Sequence, residues 1–130
     1  MPLIEPRLGI AMDTPRPCNV LMLYPLFVAD SFWSFAESCN LMGVRRPAAP
    51  LGLITVAAML PASWTTRLID CNTETVTSED IAWADLVFTG GMLSQQADTL
   101  RLINLCHSHE KPVVVGGPDA TSSPHIYSDL

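Results

Sequence analysis

Apolar residues in this chain gather into short unbroken runs closed by proline or glycine, and the runs alternate with stretches of helical period. NVLMLY at 19–24 is continuously apolar and ends at Pro25, the pattern of a strand buried on both faces. TTRLID at 65–70, DLVFT at 85–89 and PVVV at 112–115 read as three further strands. Pro112 stands at the first position of its strand, where a missing N–H is tolerated. Between the first two strands, residues 25–50 form a long aromatic-rich stretch with Phe27, Phe32, Trp33 and Phe35, and a short helix is expected at 31–39. Pro50 can open a helix at its first turn, and 51–60 is apolar nearly all round, so it predicts a buried helix stopped by Pro61. Thr77 and Asp80 make a T-x-x-D capping pattern for a helix at 78–83. Ser94 reads as the cap of a helix running to about His109, with Leu93, Ala97, Leu100, Ile103 and Cys106 on its core face.

Strands separated by helices predict an α/β fold. The expectation is a flavodoxin-like (Rossmann-like) doubly wound parallel sheet in three αβα layers. Residues 1–18 are expected to be a flexible arm, since four prolines fall within the first 17 positions, and residues 19–130 to be the domain. The segment after residue 118 carries no convincing strand, so the fold reads as truncated after its fourth strand.

Composition narrows the partners. The chain has 130 residues, a net charge of -6 and no basic run longer than Arg45-Arg46, which argues against nucleic acid. The N-terminus lacks the basic start and apolar centre of a signal peptide. The longest apolar run is well short of the roughly 20 residues of a membrane span. The four cysteines are widely spaced with no CxxC pair, so neither a zinc site nor a CxxxCxxC cluster motif is present, and a cytoplasmic protein with reduced thiols is expected.

In open α/β sheets ligands bind beyond the carboxyl ends of the strands. Here those ends carry Tyr24-Pro25, Asp70-Cys71-Asn72, Thr89-Gly90-Gly91-Met92 and Gly116-Gly117-Pro118. Two glycine pairs on one sheet edge suit a flat ligand, although glycine in turns is common for its own sake. A dinucleotide fingerprint is missing, because YPLFVAD follows the first strand where GxGxxG belongs. A flavin phosphate loop is missing there too, and Thr89 holds the place of a receiver aspartate. A large, partly apolar cofactor fits these uncharged loops better. A small α/β nucleotide- or flavin-binding enzyme fragment, and an interaction module without ligand, remain the alternatives; in the second case an exposed apolar patch would favour a homodimer.

The run VVVGGPDATSSP at 113–124 resembles the VVxGGPHAT signature of cobalamin-binding domains in radical-SAM proteins. PLGLITVAAMLP at 50–61 is similar to that family's PPLGLxxLAAxL helix, and RLIDCN (67–72) and IAWADLVFTGGML (81–93) to its second and third strands. YPLFVADSFWSF at 24–35 resembles a subgroup that includes the hopanoid C2 methylases, often labelled magnesium-protoporphyrin monomethyl ester cyclase-like. The resemblance implies a cobalamin-binding domain of a methyltransferase or cyclase, inactive in isolation. It implies a following radical-SAM barrel as partner, with a 4Fe-4S cluster and S-adenosylmethionine. Its cofactor-binding residues would be Tyr24, Pro25, Thr89, Gly90, Gly91, Met92, Ser94, Gly116, Gly117, Pro118 and Thr121. The DxHxxG motif of domains that ligate cobalt from below is absent, so cobalamin is expected base-off with no protein histidine. The His of GGPHAT is Asp119 here.

Other residues read more plainly. Asp70 resembles a ribose-binding acid but lacks the glycine fingerprint. His107 and His109 complement a helix C-terminus rather than forming a metal site, and no nucleophile–base pair or catalytic residue emerges.

Overall fold

The computed structural model describes residues 15–28, 35–44 and 49–130. Four strands, β1 (Asn19–Tyr24), β2 (Thr65–Asp70), β3 (Leu86–Gly90) and β4 (Val113–Gly116), form one sheet in the order β2-β1-β3-β4. All three pairings are parallel, with Tyr24 beside Asp70, Leu23 beside Thr89 and Gly90 beside Gly116. This is the flavodoxin-like α/β arrangement. The connection from β1 runs to one side and the connection from β2 returns over it, so the order reverses between β1 and β3. Their carboxyl ends therefore splay around a crevice.

The helices are α1 (Ala36–Met42), α2 (Leu51–Met59), α3 (Ser78–Trp83), α4 (Gln96–Ser108) and α5 (Gly117–Ser122). The helix expected at 31–39 corresponds to α1, shifted toward the C-terminus; residues 31–34, with Phe32 and Trp33, and the arm before residue 15 lie outside the described residues. β1, β2 and α3 match their expected bounds, and β3 and β4 each begin and end one residue later than expected.

Alternation along the strands divides the side chains between two faces. Leu21, Leu23, Ile69 and Val87 meet Ile81, Ala84, Leu102 and Cys106 in the main core, on the side of α3 and α4. The start of α3 is fixed by a complete capping box. The Thr77 hydroxyl accepts from Asp80 N (3.2 Å), and the Asp80 carboxylate accepts from Thr77 N (2.9 Å) and from the Thr77 hydroxyl (2.6 Å). Those Thr77 bonds, side chain first and backbone second, hold the Asp80 carboxyl below its usual range.

Two expectations are corrected by the tertiary structure. Residues 51–59 are helical, but no residue of α2 is buried, and Leu51 and Met59 are 68% and 80% exposed. Its inward side chains line a cavity instead of packing on the sheet, and no described residue covers its outer side. Second, α4 buries Thr99, Leu102, Ile103 and Cys106, while Leu93 and Ala97 are exposed and Leu100 is half-buried. Ile103 and Cys106 are buried as expected, whereas hydropathy passed over Thr99 and, just before the helix, Gln95, because both are polar. They are buried with their bonds made, Thr99 Oγ1 donating to Gln95 O (3.0 Å).

Replacing Leu102 by Ala should cost about 2–5 kcal/mol in urea unfolding, and Thr77→Ala about 1 kcal/mol. The Asp80 share of the cap is complete above the ordinary aspartate pKa of about 3.9 and is lost as pH falls through the depressed folded value. The stability difference between wild type and Asp80→Asn should therefore shrink on acidification.

Candidate functional site

A cavity of about 380 Å³ opens at the crevice between the ends of β1 and β3. Its size is that of a small-molecule pocket. One wall is the N-terminal half of α2, with Pro50, Leu51, Gly52, Leu53 and Val56; the other is the sheet, with Phe88, Val114 and the loops after β3 and β4. Of the residues expected to hold a cofactor, Tyr24, Thr89, Gly90, Gly91, Met92, Gly116, Gly117 and Pro118 line this cavity. Pro25, Ser94 and Thr121 do not. Pro25 is buried, and its carbonyl accepts from Asn72 Nδ2 (3.1 Å) and Gln95 Nε2 (2.6 Å). The Thr121 hydroxyl donates to Gly117 O within α5 (2.9 Å). Ser94 is not the cap of α4: it lies inside the 3-10 turn Leu93–Gln95 that precedes the helix. Its Oγ is buried with no hydrogen-bond partner among the described residues.

The sequence reading missed the wall supplied by α2, and it missed Gln95. The Gln95 side chain is fully buried, donates to Pro25 O (2.6 Å) and accepts from Met92 N (3.0 Å). It thereby joins the β1 loop to the β3 loop. The β1 loop is fixed along its length: Leu26 N donates to Asp98 (2.7 Å), Phe27 N to Asn72 Oδ1 (3.0 Å) and Val28 N to Ser94 O (3.2 Å). Asn72 is oriented in turn by the buried Asp70, whose Oδ1 accepts from its N and Nδ2. Asp70 is thus engaged inside the fold.

The glycines divide by what surrounds them. A Cβ on Gly90, which has φ +156, would run into the carbonyl of Gly116 on the neighbouring strand, and one on Gly91 would collide with the Gln95 side chain. Gly117 has φ +90 and lies against Gly91. These three are needed by the fold itself. Gly116 has extended backbone, and a Cβ there would meet open space. Gly116 and, on α2, Gly52, where a Cβ would likewise meet open space, are therefore the cavity-lining glycines whose missing side chains leave room.

Asp119 fastens the loop after β4. Its carboxylate, 3% exposed, accepts from Gln96 Nε2 on both oxygens (3.0 Å each) and from the Tyr127 hydroxyl (2.5 Å), and its N–H donates to Gly91 O (3.2 Å). Burial, reinforced by the Asp119 bond and charge, pushes the Tyr127 phenol well above its ordinary pKa. His107 and His109 stand at the far end of α4, by the start of β4 and away from the cavity. Among the described residues no group of three or more His, Cys, Asp or Glu is placed to hold a metal ion. No described helix is long and apolar enough to cross a membrane.

The chain is 43% identical over 106 residues to an uncharacterized methyltransferase, sll1242, of Synechocystis sp., a match covering 82% of this chain and 20% of that protein. It is 36% identical over 113 residues to the hopanoid C-2 methylase of Rhodopseudomonas palustris, covering 86% of this chain and 21% of the methylase. The chain therefore spans about a fifth of the length of these curated relatives, both named as methylating enzymes. No family model matches the chain, and no solved structure does.

Gly90→Ala should lower the melting temperature strongly or prevent folding, whereas Gly116→Ala should stay within about 0.5 kcal/mol of wild type in the same calorimetric comparison. The neutral Tyr127 phenol contributes stability in full below the unfolded tyrosine pKa of about 10, and that contribution is lost as pH rises through the raised folded value. Ultraviolet titration should place Tyr127 ionisation above that of free tyrosine, and Asp119→Asn should bring it down.

Proposed function

We propose that the chain is the cobalamin-binding part of a radical-SAM methylase. The observation that carries this reading is the cavity at the strand-order reversal, apolar along α2 and open at Gly116, in a chain similar to part of two methylating enzymes.

The residues present fit such a group. Phe88, Val114, Leu53 and Val56 offer apolar surface to the flat parts of a corrinoid, and no charged side chain lines the cavity. The apolar, amide-rimmed part of such a cofactor would be desolvated there at little cost, whereas the ionised phosphate of its nucleotide tail would stay at the solvent-facing edge of the loops, since no counter-charge lies inside. Tyr24, Thr89, Gly90, Gly91, Met92, Gly116, Gly117 and Pro118 would hold the cofactor, with the loops after β3 and β4 receiving its nucleotide tail. When bound, cobalamin supplies a cobalt centre that carries a methyl group. The protein's part is to orient the cofactor and to keep water from its buried side. The β1 loop at 25–28 contains no histidine and is tied down by its neighbours, so these residues would position the cofactor without supplying a ligand to its metal. The radical-SAM barrel, its 4Fe-4S cluster and its S-adenosylmethionine belong to the rest of a longer enzyme. The exposed uncharged face of α2 and β4 is where that remainder packs.

Hydroxocobalamin added to the folded protein should produce a visible spectral change that saturates at one equivalent. Gly116→Leu should retain the fold but weaken uptake about five- to 150-fold, the effect of about 1–3 kcal/mol of overpacking in the opening. A folded wild-type protein that leaves the cobalamin spectrum unchanged, or one stabilised instead by flavin mononucleotide in a thermal-shift assay, would overturn the proposal.

A further inference from the structure

Three of the cavity's lining residues carry polar side chains, Tyr24, Thr89 and Gln95. The Thr89 hydroxyl donates to Leu23 O at 2.9 Å and is fully buried in doing so. Gln95 has two amide hydrogens and one carbonyl oxygen to satisfy. One hydrogen goes to Pro25 O and the oxygen accepts from Met92 N. The Gln95 side chain is fully buried, so its remaining hydrogen is out of a ligand's reach. Tyr24 lines the cavity, and its hydroxyl donates to no described residue. The ring is held from the side by an edge-to-face contact with Phe27, centroids 6.0 Å apart at 80°, so the phenol is fixed in place with a donor to offer.

We propose that Tyr24 is the specificity-determining residue of this cavity, its hydroxyl donating to a hydrogen-bond acceptor on an otherwise apolar, uncharged and planar group seated between α2 and the ends of β1 and β3. The inference rests on reading the cavity as a ligand site, but it does not require that the ligand be cobalamin. An apolar group lacking the acceptor enters the same space and leaves a polar hydrogen unpaired, which is the form of discrimination that hydrogen-bonding sites achieve best. A charged group is rejected because no lining side chain carries the opposite charge. Planarity follows from the bare backbone at Gly116, where no side chain projects into the cavity, opposite the wall of α2.

The test uses two bicyclic probes of nearly equal size at neutral pH, quinoline with one ring-nitrogen acceptor and naphthalene with none. In ligand-observed NMR the wild-type protein should bind quinoline about three- to tenfold more tightly than naphthalene, the worth of one neutral hydrogen bond. Tyr24→Phe keeps the ring and its contact with Phe27; in that variant quinoline should fall to parity with naphthalene while naphthalene binding stays unchanged. As a readout independent of any variant, the Cζ resonance of Tyr24 in carbon-13-tyrosine-labelled protein should shift with quinoline and not with naphthalene. Equal binding of the two probes by the wild type, a preference that survives in Tyr24→Phe, or binding of neither probe would overturn the proposal. A quinoline preference in a protein that leaves hydroxocobalamin untouched would uphold it while removing the cobalamin reading.

Discussion

The fully buried side chain of Gln95 joins loops that a parallel sheet otherwise leaves separate. At the reversal of strand order nothing in the backbone ladder holds β1's exit against β3's exit, since the strands splay there and their hydrogen bonds have ended. Gln95 bridges that gap through Pro25 and Met92, and Gly91 must be glycine to admit it. On the other side, Asp119 joins the β3 exit to the β4 exit through Gly91 and Gln96. The cavity's rim is consequently set by buried polar groups with their bonds made, an arrangement that gives geometric definition where apolar packing alone would allow slack.

That same satisfaction shapes what the cavity can recognise. Polar side chains at a binding site usually serve both the protein and its ligand. Here Thr89 and Gln95 are engaged within the fold, so the space between α2 and the sheet is chemically close to an apolar slot with a single side-chain donor at its edge. A site of this kind takes its affinity from contact area and its orientation from one hydrogen bond.

The two edges of the sheet have different chemistry. β2 opens with the exposed polar run Thr65, Thr66 and Arg67, and Arg67 lies 4.0 Å from the centroid of the Trp83 ring, a charge that discourages further strand pairing. β4 reads VVVG with no charge or bulge, the composition of a strand paired on both sides, and Val114 is 47% exposed on the face shared with α2. Together with a helix that is apolar all round and buries none of its residues, this gives one continuous uncharged surface. Isolated exposed hydrophobics are ordinary, whereas a contiguous patch of this kind is the type of surface at which proteins meet partners; the matched segment covers only about a fifth of each relative.

The sequence by itself determined the order of strands and helices, the parallel α/β class and the sheet edge on which the site lies, because strand burial, capping boxes and glycine turns are written in local patterns a few residues long. It pointed to eight of the cavity's residues for the same reason: strand ends are local features. What only the tertiary structure decided was which side of each helix meets the core and which groups meet across the chain. Gln95 and Thr99 joined the buried face of α4 because partners 4 to 70 residues away accept their hydrogen bonds. The glycines separated into those required by a neighbouring backbone or side chain and those, Gly52 and Gly116, that leave space in the cavity, a distinction set by contacts between elements. The apolar pattern of α2 announced burial, but burial depends on a second surface; the sheet meets α2 across a cavity and from one side only.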